Sequence, residues 1–83
     1  MIINIGPNDM LTRGTRVRVG NDYGFIEEAN IVPASNGGLI TVHTVRLTAK
    51  YVRKSGAAKS ALENITPYSK RVNYSFIQVL EQA

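Results

Sequence analysis

The chain contains no cysteine, which excludes a disulfide scaffold and any thiolate metal site. Its 83 residues form one domain, 1–83, near the lower end of what folds unaided, where folding buries only about 60–70% of the unfolded surface. Without the usual staples of a very small domain, hydrophobic packing or self-association must compensate. The lack of cysteine favours a cytoplasmic or intracellular setting. No apolar run approaches the roughly 20 residues that span a bilayer, so no membrane partner is expected. The opening "MIINIGPND" has neither the basic start nor the apolar stretch of a signal peptide.

Catalytic residues are equally scarce. His43 is the only histidine, and its neighbours Thr41, Thr44 and Val45 suit a hydrogen-bonded structural imidazole better than a general base, which needs an orienting partner. Glu27 and Glu28 are adjacent on an expected strand, so their carboxylates point to opposite faces and make a poor acid/base pair. Gly37-Gly38 suits a hairpin turn better than a phosphate loop, and no metal-ligand spacing occurs. The reading is of a non-enzymatic protein without a cofactor or metal.

What is present is a basic bias. Acidic residues are absent from 29–62. Residues 1–28 sum to −1, whereas residues 29–80 carry seven basic residues against Glu63 alone, a sum of +6 within a net charge of +4. Such asymmetry hints at a polyanionic partner, although lysines and arginines also guard exposed strand edges against pairing. The hydrophobic fraction of 43% with 19% charge is that of a globular protein, not a disordered one.

Strand patterns dominate. "MIINI" reads as a short strand or an N-terminal arm, 1–6, before the turn formers of "GPND". "TRVRV" alternates, with Thr15, Val17 and Val19 on one face and Arg16 and Arg18 on the other. Residues 23–32 and 39–53 flank "PASNGG", whose Asn36-Gly37-Gly38 supplies hairpin geometry. Within the second arm, Ile40 and Val42 share one face while Val45, Leu47, Ala49 and Tyr51 share the other. That phase change predicts a bulge or bend near His43-Thr44 and a curled sheet. "SGAAKSALENI" predicts a short helix capped by Ser55, with Ala58, Ala61, Leu62 and Ile65 on its apolar stripe. "RVNYSFIQVL" fits a helical stripe too, but its β-branched and aromatic density favours a strand.

At "RGTRVRVGNDYGFIEE" the chain resembles the opening of SH3-like barrels of the KOW and Tudor kind, with Gly14, Val17, Val19, Gly24 and Ile26 in the characteristic places. The resemblance covers 16 of 83 residues and implies a mostly β fold: a single small barrel of about five strands with one short helix or helical turn. An OB-like arrangement is the nearest competitor. The loop from Val19 to Gly24 is shorter than in the KOW pattern and lacks its second glycine, so no RNA-binding role is carried over.

The functional expectation is therefore a small binding module that contacts nucleic acid or another polyanion through a basic face. Its candidate residues are Arg16, Arg18, Lys50, Tyr51, Arg53, Lys54, Lys59, Lys70 and Arg71, the tyrosine offering a ring on which a base can stack. The alternative is a structural protein of a virus (phage) particle or another homo-oligomeric scaffold, virion-associated, in which the 1–6 arm adds a strand to a neighbour.

Overall fold

The computed structural model describes residues 3–54 and 59–82 of the chain. They form one antiparallel sheet of six strands: β1 (Ile3–Asn4), β2 (Arg16–Val19), β3 (Asp22–Pro33), β4 (Leu39–Lys54), β5 (Lys59–Val72) and β6 (Gln78–Glu81). The order across the sheet is β1-β6-β2-β3-β4-β5. The ladder stays open, with β1 and β5 as its two edges. One backbone bond reaches around it, from Thr41 N–H to the Pro7 carbonyl at 3.0 Å. The fold is mostly β, and no helix among the described residues is long and apolar enough to cross a membrane.

Local chemistry accounts for the frame. From Thr15 through β2, Thr15, Val17 and Val19 are buried while Arg16 is exposed and Arg18 half-buried, as the alternation requires. The β3–β4 hairpin closes where expected. Ala34 N–H donates to the Gly38 carbonyl at 2.8 Å, Gly37 N–H donates to Ala34 at 3.1 Å, and Asn36 Oδ1 accepts from Gly38 N–H at 3.0 Å. Gly37 takes φ +89° there, a left-handed conformation that glycine adopts without steric cost. The strand β1 pairs with β6 of its own chain, Ile3 opposite Val79.

Three expectations need correction. The segment read as a helix continues as strand: Ala61, Leu62 and Ile65 belong to β5, while Ser55 and Ala58 lie outside the described residues. The reason is that β4 runs on to Lys54 and offers an open row of backbone donors and acceptors, which residues 59–64 fill in register, from Lys54↔Lys59 to Ala49↔Asn64. Tertiary pairing outweighs the modest helical preference of an alanine-containing segment. The helical turn instead lies just before the last strand, as a 3-10 turn at Tyr74–Phe76 capped by Asn73, whose side chain accepts from Ser75 N–H at 2.9 Å. The segment favoured as one strand is thus split between the end of β5, this turn and β6.

The third correction concerns phase. Thr41, His43, Val45 and Leu47 are all buried, so β4 keeps one face to the core through the position where a break was expected. Two polar residues occupy the places that the apolar pattern denied them. The irregularity opposite Thr44 and Val45 lies in β3 instead, where Glu27 is the extra residue. The phase of β4 changes at Thr48: Leu47 pairs with Tyr68 but Ala49 with Asn64, so Ile65, Thr66 and Pro67 bulge from β5 opposite one residue. A proline, which cannot donate to a ladder, is tolerated at such a bulge on an edge strand.

The core holds Leu11, Val17, Val19, Ile26, Val45, Leu47, Val72, Ile77 and Val79, with Ile5 and Ile65 packed against it. It contains no phenylalanine or tyrosine. The phenylalanine and tyrosine rings lie on the surface or half-buried.

Candidate nucleic-acid interface

Residues paired across antiparallel strands point to the same face, so the register assembles the outer face directly. Arg16 on β2 pairs with Phe25 on β3, Phe25 with Arg46 on β4, and Arg46 with Ser69 on β5. One row therefore runs Arg16, Phe25, Arg46, Ser69 across four strands. The next row runs Arg18, Tyr23, Ala49, Asn64. Arg71 joins the same face through its pairing with Thr44.

The side chains in these rows are held in distinct ways. The Arg18 guanidinium lies 5.8 Å from the centre of the Tyr23 ring, a cation–π distance, and its Nε donates to the Gly20 carbonyl at 2.7 Å. Arg46 Nη1 donates to Ser69 Oγ at 3.2 Å, and the Ser69 hydroxyl donates to Glu27. Phe25 is 38% exposed, high for a ring in the middle of a sheet. Around it lies a concavity of about 490 Å³ lined by Arg16, Tyr23, Phe25, Ala49, Leu62 and Leu80.

Carboxylates border this face without interrupting its central row. Glu81 is in register with Arg16 from β6, Glu27 is occupied by Ser69, and Glu28 accepts from Asn30 Nδ2 at 2.6 Å.

The residues singled out from the sequence divide between the two sides. Arg16, Arg18 and Arg71 share the outer face, and Tyr51, exposed and two positions beyond Ala49, continues its phase along β4. Lys50 lies on the core-side phase, between Asp22 on β3 and Glu63 on β5, so acidic neighbours flank it. Lys70 pairs with Val45 and is exposed only because β5 is an edge. The backbones of Arg53, Lys54 and Lys59 complete the β4–β5 arm; their side chains lie outside the described residues. Arg46 and Phe25 were missed. Their signal was the strand alternation of "TVRL" and "GFIE", but only the register shows that they are neighbours.

On the core side, Tyr68 Oη donates to Asp22 Oδ2 at 2.9 Å. That hydrogen bond to a carboxylate, with partial desolvation and the nearby negative charge, raises the Tyr68 pKa above its usual 10.0. An NMR titration of ring-labelled tyrosines should show Tyr68 ionising above its ordinary value, and Asp22→Asn should move it back down. An unchanged Tyr68 titration in that variant would remove Asp22 as the cause.

Among the described residues no group of three or more histidines or carboxylates is placed to hold a metal ion. Comparison with protein-family models, curated proteins and solved structures gives no match for this chain.

Proposed function

We propose that this protein is a non-enzymatic binding module that holds nucleic acid against the outer face of its sheet. The row Arg16, Phe25, Arg46 carries the reading: two guanidiniums on either side of an exposed ring, on adjacent strands of a rigid ladder. Strand spacing of about 4.8 Å sets the two cations roughly 10 Å apart, a span that a flexible sugar-phosphate chain can bridge. Arg18 and Arg71 extend the positive surface, and guanidiniums suit phosphate because their donors form a planar fork. The curled sheet itself we read as an unclosed relative of the SH3-like barrel, supported by the alternation of β2 and the glycine at position 24.

The test is fluorescence anisotropy of a labelled single-stranded oligonucleotide over a salt series. Four arginines on phosphate give a log–log slope of roughly −3 for a single strand. The double variant Arg16→Glu/Arg46→Glu should weaken binding by at least roughly tenfold at low salt and lower the slope by about 1.4. Binding that ignores salt, or a variant equal to the parent, would reject the proposal.

Self-assembly is the second reading. It rests on β5, a 14-residue strand at the sheet edge, whose outward backbone groups can pair with another copy. Sedimentation velocity at low and high salt separates the two: an oligomer that persists at both and ignores the oligonucleotide favours assembly.

A further inference from the structure

We infer that the concavity around Phe25 is a seat for one unpaired nucleobase, so that the partner is single-stranded; this rests on the nucleic-acid reading of the same face. The argument starts from the different states of the two rings. Tyr23 is already covered by the Arg18 guanidinium, and that arginine is tied back to the Gly20 carbonyl. Among the described residues no cation covers Phe25, whose ring remains 38% exposed inside the concavity.

The lining then defines what fits. Leu62 and Leu80 bound the space from β5 and β6, Ala49 leaves it open above β4, and Arg16 stands beside it. The lining suits an occupant that offers an apolar face to Phe25, Leu62 and Leu80 and an anionic group to Arg16. A volume of about 490 Å³ lies within the roughly 300–1,000 Å³ of small-molecule clefts and accommodates a base with its sugar. Arg16, and Arg46 one strand beyond Phe25, would take the phosphates on either side. In a duplex both faces of each base are covered by stacked neighbours, and the Phe25 ring has nothing to stack on. A single strand can turn one base out and place it there.

The experiment compares three labelled probes of equal length at low salt: an oligothymidylate, an abasic strand with the same phosphates, and a duplex. The oligothymidylate should bind about 5- to 150-fold tighter than the abasic strand, the effect of stacking one base. Phe25→Ala and the bulk-preserving Phe25→Leu, each checked for a parental circular dichroism spectrum, should bring oligothymidylate binding down to the level of the abasic strand. Equal affinity for oligothymidylate and abasic strand, or a preference for duplex, overturns the base seat while leaving the charged face intact. Binding of none of the three probes overturns both readings together.

Discussion

Replacing Gly24 with alanine should leave the protein largely unfolded at moderate urea concentrations where the parent is still native. A Cβ at position 24 would lie 1.8 Å from the Arg46 carbonyl oxygen and 2.8 Å from both the Arg46 carbonyl carbon and Leu47 Cα. All three are backbone atoms, so no rotamer change relieves the contact. The close approach arises because β3 and β4 shift register between Tyr23 and Gly24 while Gly24 also pairs with Val17 on β2. Separating β4 from β3 would open the core at Val45 and Leu47. A cost of about 3 kcal/mol or more follows, against a total of roughly 4–12 kcal/mol for a domain of this length. Gly37→Ala is the natural control: its Cβ meets nothing within 4 Å, and only the φ of +89° opposes it, a penalty of about 1–2 kcal/mol. Urea midpoints of the two variants should differ clearly. If Gly24→Ala lies within about 1 kcal/mol of the parent, which is of the order of the roughly 10–15% uncertainty of the extrapolation, the contact is not the constraint described. If the proposed function holds, the same substitution should also weaken binding of the oligonucleotide, because Phe25 and Arg46 are positioned by this crossing.

Stability should decline as the pH falls below about 6.5, the ordinary histidine value, and His43 should be the cause. The imidazole is fully buried, and its Nε2 accepts a hydrogen bond from Leu11 N–H at 3.0 Å. Nε2 is therefore the unprotonated nitrogen and Nδ1 carries the hydrogen, with no partner among the described residues. Protonation would set a new N–H against the Leu11 N–H, donor facing donor. Burial lowers the His43 pKa below its ordinary value of 6.5, so between the folded and unfolded values the unfolded chain holds a proton that the folded chain refuses. Unfolding then takes up a proton, and stability drops on acidification by up to about 1.4 kcal/mol per pH unit until the folded pKa is reached. No other histidine is present, so the slope that begins below about pH 6.5 is assigned to this side chain. Urea titrations at stepped pH should show the slope in the parent and its loss in His43→Leu. That variant should also be less stable at neutral pH by about 1–3 kcal/mol, because Leu11 N–H is left buried without an acceptor. His43→Gln, whose carbonyl can accept, should recover part of the loss while staying pH-independent. A parent whose stability is flat across the window would dissociate the bond from the titration.

His43 and Thr41 also mark the limit of reading a core from hydrophobicity. The apolar pattern placed a change of phase at this point, and for His43 the inference failed because the N-terminal segment returns to satisfy its imidazole. Pro7 supplies a carbonyl for Thr41 N–H and Leu11 an N–H for the imidazole. Neither partner is near in sequence. A buried polar residue is acceptable wherever a partner reaches it, and that partner is chosen by the path of the chain in three dimensions.

The period-2 pattern of β2, the β3–β4 hairpin around Asn36-Gly37 and the mostly β character were legible in the residues themselves. Each depends on interactions within a few positions: alternation across one strand, or backbone angles that glycine and asparagine adopt. The β5 strand, the unbroken phase of β4 as far as Leu47 and the arginine–phenylalanine row depend on which strands become neighbours and in what register. A shift of one residue would send Arg46 to the core and Leu47 to the surface. Charge counting found a basic chain, but Lys50 sits between Asp22 and Glu63 while Arg46 stands beside Phe25. Pairing across strands separates those two cations, because side chains at opposite positions of a ladder meet regardless of their distance along the chain.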